Sequence, residues 1–129
     1  MSNDMKAGQD FLAANATKEG VIVTASGLQY RVMKSGQGAT PGPTDVVKAH
    51  YHGTFIDGKV FDSSVERGEP LELPVNGVIS GWTEALQMMQ EGDQWQLFVP
   101  SDLAYGARGV GPIPGNTALI FEVELIEVK

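Results

Sequence analysis

Four segments in which apolar and polar residues alternate, with one stretch of helical spacing between the second and third, restrict what this chain can fold into more than any other feature. Leu28, Tyr30 and Val32 alternate with Gln29, Arg31 and Met33, and Val47, Ala49 and Tyr51 alternate with Lys48, His50 and His52. Trp95, Leu97 and Val99 form a third set, and Leu119, Phe121, Val123 and Leu125 stand opposite Glu122 and Glu124. A period of two is that of a half-buried strand. Between these runs, Ile79, Trp82, Leu86 and Met89 recur at helical spacing with Gly92 just beyond, which predicts a single central helix with a glycine stop. Runs of strands with one inserted helix, in place of regular βαβα order, predict an antiparallel sheet with one face covered by that helix, an α+β architecture.

The breaks agree with this reading. Gly36-Gln37-Gly38 and Pro41-Gly42-Pro43 separate the first two strands, and Asp57-Gly58 between Phe55-Ile56 and Val60-Phe61 predicts a hairpin. Residues 63–70 are polar and read as a bulge or loop, after which Leu71 to Val75 can form a strand whose Pro74 demands an edge or a bulge. Upstream, Ser2, Asn3 and Asp4 suit an N-cap, and Met5, Ala7, Phe11, Leu12 and Ala13 continue toward a stop at Gly20. The apolar stripe is thin, so this helix is expected as a peripheral appendage or the stub of a longer one, with a frayed arm as the competing reading. The expected organisation is a helical segment over 1–20 and one domain over 21–129.

A chain of 129 residues can bury a core without staples. It has no cysteine, hence no disulfide, thiolate metal site or cysteine nucleophile. A net charge of −7 with only nine Lys and Arg argues against nucleic acid and anionic membrane as partners. No window reaches the length of a bilayer span, and residues 1–20 lack the layout of an export signal. As written the chain is expected in the cytoplasm, and in the periplasm if a signal or upstream region has been removed. Gly-x-Ser-x-Gly, His-Glu-x-x-His and the Walker phosphate loop are all missing. His50 and His52 share one strand face, as two metal ligands would or as exposed strand histidines would, but no third ligand stands near them in sequence. No metal and no cofactor are expected.

Tyr51, Phe61, Trp82, Tyr105 and Phe121 come from five different segments, several of them beside Gly or Asp. Each alone reads first as core. Together with the Gly/Pro-rich loop from Gly106 to Gly115 they can line an apolar, ligand-sized pocket.

Five linked motifs then carry a resemblance: Tyr51-His-Gly-Thr, Gly58-Lys-Val-Phe61-Asp62-Ser-Ser, Val78-Ile79-Ser-Gly-Trp82, Leu103-Ala-Tyr105-Gly106, and Ile113-Pro114 followed by Leu119-Ile-Phe121-Glu-Val-Glu-Leu125. In this order and spacing they resemble the FKBP family of peptidyl-prolyl isomerases over about residues 27–129. The lead-in from Phe11-Leu12 through Gly20 to Gly27-Leu-Gln-Tyr30 is similar to the bacterial branch that includes the macrophage infectivity potentiator proteins. In that branch an N-terminal helical region mediates dimerisation. Only the last turns of such a helix fit here, so the resemblance implies the catalytic unit as a monomer.

The resemblance further implies a twisted antiparallel sheet of five or six strands wrapped around one short helix, with the active pocket between them. Trp82 would form the pocket floor and Phe121 a wall, with Asp62 and Tyr105 as polar contacts at the rim; these four form the catalytic set. Tyr51, Phe61, Leu71, Val78 and Ile79 would bind substrate as walls, the Ile79 N–H would hold a carbonyl, and Ile113 would contribute from the loop. Proline-containing protein substrates, assistance to folding, and inhibition by macrolides of the rapamycin class are implied with it. Asp62 would orient Tyr105 or Arg108, shape the electrostatics of the bound imide, or simply cap a turn. Leu71 and Leu73 stand where aromatic residues are common in eukaryotic members, and the loop Ala107–Pro112 differs in composition. Two other classes compete with the isomerase: a non-catalytic module that holds Pro-containing segments, and an unrelated β-barrel binder of small hydrophobic molecules.

Overall fold

The computed structural model describes residues 2–129, with side chains from residue 6 onward. Helix α1 spans Ser2–Asn15, and the strands are β1 (Ile22–Val23), β2 (Gln29–Lys34), β3 (Val46–Phe55), β4 (Val60–Ser63), β5 (Leu71–Pro74), β6 (Gln94–Val99) and β7 (Leu119–Val128). Helices α2 (Ser64–Arg67) and α3 (Ser80–Leu86) and two single 3-10 turns, Val75–Gly77 and Ser101–Leu103, complete the order. All pairings are antiparallel, and the strands run β1-β2-β6-β7-β3-β4 across the sheet, with β5 also on β3. The α+β class read from the sequence is the one observed.

Among the described residues there are seven strands, where five or six were expected. The additions are the two-residue β1 and the sharing of one edge of β3 by two short strands laid end to end. β5 pairs with Val46–Ala49 and β4 with His52–Thr54. Pro74 closes β5 opposite Val46 at the strand end, where its missing N–H costs no ladder bond.

The alternation of β3, β6 and β7 places Val47, Ala49, Tyr51, Leu97, Val99, Leu119, Phe121, Val123 and Leu125 on one face. Against it α3 and the turn after it press Trp82, Ala85, Leu86 and Met89, all buried. Gly81 permits this approach, because a Cβ there would lie 2.7 Å from Val99 Cγ1. The helix is shorter than its apolar spacing predicts. It ends at Leu86, and Met89 is held by a turn bond from its N–H to Ala85 O at 3.1 Å. Gly92, read as the helix stop, instead adopts φ 95° in the turn leading to β6.

Strand β2 departs from strict alternation. Leu28 and Gln29 are both buried, while Val32 and Met33 are exposed. The cause is tertiary: α1 covers the outer face only at the start of β2, burying Gln29 and leaving Met33 open, while Val32, on the inner face opposite Trp95, sits where the register slips before Lys34. Asn15 Nδ2 donates to Gln29 Oε1 at 2.8 Å, Gln29 Nε2 donates to Leu12 O at 2.9 Å, and Phe11 packs on Phe98 with ring centroids 6.1 Å apart. The helix ends at Asn15, short of Gly20, and its expected Ser2-Asn3-Asp4 cap and Met5 fall outside the described side chains. Among the described residues no helix is long and apolar enough to cross a membrane.

Candidate functional site

A cavity of about 390 Å³ opens between the inner face of the sheet and α3. Its lining draws on β3 (Tyr51), β4 (Phe61, Asp62), β5 (Leu71, Leu73), the turn entering α3 (Gly77, Val78, Ile79), α3 itself (Trp82), the loop after β6 (Tyr105) and β7 (Phe121). Nine of the ten residues singled out as catalytic or substrate-binding are therefore brought together. The tenth, Ile113, is 6 % exposed and belongs to the core beneath the loop, outside the cavity lining.

The aromatic rings interlock at right angles. Trp82 meets Tyr51 at 5.3 Å and 78° and Phe121 at 5.3 Å and 85°, and Phe61 meets Phe121 at 5.5 Å and 85°. Edge-to-face contacts place the positive rim of one ring on the negative face of the next, a favourable geometry that also resists sliding. Room for this cluster comes from Gly53 in the middle of β3, where a Cβ would stand 2.7 Å from the Phe61 ring and 3.0 Å from the Phe121 ring. A glycine inside an alternating strand is the sequence signal for such a close approach, and the sequence reading passed over it. Trp82 is 4 % exposed and its Nε1 has no hydrogen-bond partner in the protein.

At the rim, Asp62 is held by residues other than those considered for it. Tyr51 Oη donates to Asp62 Oδ2 at 2.5 Å, Arg67 donates to Asp62 Oδ1, and Arg67 Nη2 donates to Tyr51 Oη at 3.0 Å. Arg67 also stands 5.7 Å from the centroid of the Tyr51 ring. Neither Tyr105 nor Arg108 is a hydrogen-bond partner of Asp62 here. Partial burial pushes the Asp62 carboxyl up, but the hydrogen bonds from Tyr51 and Arg67 and the Arg67 charge outweigh it and hold the group below the usual carboxylate range. Burial and the bond to Asp62 push the Tyr51 hydroxyl up, and burial together with the Asp62 charge does the same to Tyr105.

Arg67 escaped the sequence reading because residues 63–70 read as loop. They contain a single helical turn, α2, capped by Ser63 Oγ accepting the Glu66 N–H at 3.1 Å and closed by Gly68 at φ 81°. That turn carries Arg67 back onto Asp62. The Ser63-x-x-Glu66 spacing ahead of Gly68 was the available sign.

The loop after β6 is laced to itself. Asn116 N–H donates to Gly106 O at 2.8 Å, Val110 and Ile113 exchange bonds of 2.9 and 2.8 Å, and a Cβ on Gly115 would strike Ala107 O at 1.9 Å. Tyr105 projects from this frame, 36 % exposed. Elsewhere, the two strand histidines face serines: His50 Nδ1 lies 2.8 Å from Ser64 Oγ and His52 Nδ1 lies 2.9 Å from Ser63 Oγ. Among the described residues no group of three or more metal-binding side chains gathers.

Comparison with known proteins follows the same lines. Residues 37–126 match the family model described as FKBP-type peptidyl-prolyl cis-trans isomerase, and residues 1–32 match the model of the domain amino-terminal to it. The FKBP-type isomerase FkpA of Aeromonas hydrophila is 56% identical over 126 residues, which is 98% of this chain and 47% of that protein. Outer membrane protein MIP of Legionella longbeachae is 54% identical over 95% of this chain and 53% of that protein. The chain thus spans about half the length of these curated relatives. A peptidyl-prolyl isomerase structure from Pseudomonas syringae superposes with a TM-score of 0.92 at 41% identity, over 99% of this chain and 95% of that one.

Proposed function

Since the chain belongs to the FKBP-type peptidyl-prolyl cis-trans isomerase family, we propose that it catalyses cis/trans isomerisation of X-Pro bonds in protein clients and thereby assists their folding. One observation carries the reading: a preformed cavity of about 390 Å³ with four interlocked rings and an anchored carboxylate and a phenol at its rim. Amide resonance sets a barrier of about 18–20 kcal/mol, and the twisted transition state has lost much of that resonance and of its charge separation. A dry aromatic cage favours the twisted amide over the planar, better solvated one, so binding energy is spent where it lowers the barrier.

The residues divide this work. Trp82 supports the prolyl ring from below, while Phe121, Phe61, Leu71 and Val78 exclude water around it. The Ile79 N–H, just ahead of α3, and the Tyr105 hydroxyl, a protonated donor at neutral pH, hold the carbonyl. Asp62 stays ionised and serves as a brace, since Tyr51 and Arg67 occupy its oxygens. No proton is transferred in the step. Clients with an apolar residue before proline fit this lining best, rapamycin-class macrolides compete for it, and the chain acts as a monomer. Of the two compartments expected from the sequence, the periplasm is favoured by the relative named as an outer membrane protein.

The test is isomerisation of a short Leu-Pro peptide by catalytic amounts of the protein, with and without a rapamycin-class macrolide. Acceleration that the macrolide abolishes is the expected result. Macrolide binding without acceleration would leave a holding module, and neither activity nor binding would overturn the reading.

A further inference from the structure

A second groove, of about 460 Å³, is lined by Phe55, whose ring packs against Phe61 of the prolyl cavity. The tip of the β3–β4 hairpin forms one wall with Phe55 and Ile56, and the laced loop forms the other with Pro112 and Pro114. Ile113, between those prolines, points into the core, so the loop presents two rigid rings to the groove without spending its central side chain there. Proline rings and a loop cross-bonded through Val110 and Ile113 make this a preformed wall, which lowers the ordering cost of any ligand. Lys59 and Asp57 stand at the rim.

The groove and the prolyl cavity are joined by aromatic contact. Phe121 meets Phe61 at 5.5 Å, and Phe61 meets Phe55 at 5.2 Å. Extended chain covers two such steps in about three residues at roughly 3.3 Å each. We propose that this groove is a second client subsite, taking an apolar side chain about three residues from the proline in an extended, unfolded polypeptide. The inference rests on the isomerase reading and deepens it: the enzyme recognises unfolded segments that carry a hydrophobic residue at that distance, beyond the X-Pro pair itself.

Peptide series separate the two claims. One series is a short Leu-Pro peptide; the other extends it by three or four residues on either side, with Leu or Ser at the third position from proline. The expected result is kcat/KM about tenfold higher for the extended Leu peptide than for its Ser counterpart, in the range an apolar pocket gives for a few methylenes. Ile56→Glu, and the milder Ile56→Ser, should erase that gain while leaving the short peptide's rate unchanged, which also shows that the variant is folded. Equal rates for the Leu and Ser peptides, or a gain that survives both variants, would overturn the subsite while leaving the isomerase intact. No activity on the short peptide would remove both.

Discussion

Each face of the sheet is covered by a helix, but the two coverings work differently. On the inner face α3 buries Trp82, Ala85 and Leu86 against an unbroken apolar surface, and the packing tolerates a cavity because dispersion and burial have no fixed direction. On the outer face α1 crosses β2 and β6 with one aromatic pair, a tight approach of Gly8 to Ala118, and a buried amide pair, Asn15 with Gln29. That contact depends on directed hydrogen bonds between groups that are 1 % and 5 % exposed, and such groups are expensive to leave unpaired. Apolar packing leaves room for a site, whereas polar docking fixes one position.

The most severe way to break this contrast is Trp82→Ala. Removing the ring that contacts both Tyr51 and Phe121 is expected to cost about 3–5 kcal/mol of stability, read by urea denaturation, and to abolish isomerisation of the short peptide. Retained activity in a folded variant would take the site away from the inner face. A smaller effect is expected from Asn15→Leu, which leaves the buried Gln29 Oε1 without its donor while Gln29 Nε2 keeps its bond to Leu12 O: a loss of about 1–3 kcal/mol with peptide isomerisation unchanged. If activity fell as well, the two faces would be coupled and the contrast lost.

The smallest effect concerns pH. The folded structure holds the Asp62 carboxyl below its ordinary range, so its stabilising effect is complete at neutral pH and is lost as pH falls below about 4, through the depressed pKa. Asp62→Asn is therefore expected to be less stable than the parent at pH 7, by at most about 1 kcal/mol for so exposed a pair, with the gap closing toward pH 3. Parallel denaturation curves at both pH values would show that Asp62 carries no such linkage.

The legible parts of the molecule were those in which one local pattern has one structural meaning. The alternation of β3, β6 and β7 and the Asp57-Gly58 hairpin are read directly, since each residue's face follows from its parity along the strand. Val32 was misread because it sits on the inner face, opposite Trp95, at the point where the β2 register slips before Lys34. Nine of the ten candidate residues line one cavity. Ile113 does not, because the bridge to Val110 turns it inward. Arg67 was missed because a single turn of helix, stabilised by one serine cap and one glycine, carries too short a period to register.

The sequence by itself determined the sheet, its buried face, the helix that covers it and the family to which these belong, because side-chain periodicity and motif order are properties of the chain. The tertiary structure alone decided the cavity's shape, the Tyr51–Asp62–Arg67 brace, the docking of α1 through Asn15 and Gln29, and the groove lined by Phe55. Each of these depends on distances between residues far apart in sequence, and such distances are set by how strands pair and helices pack, which no local pattern records.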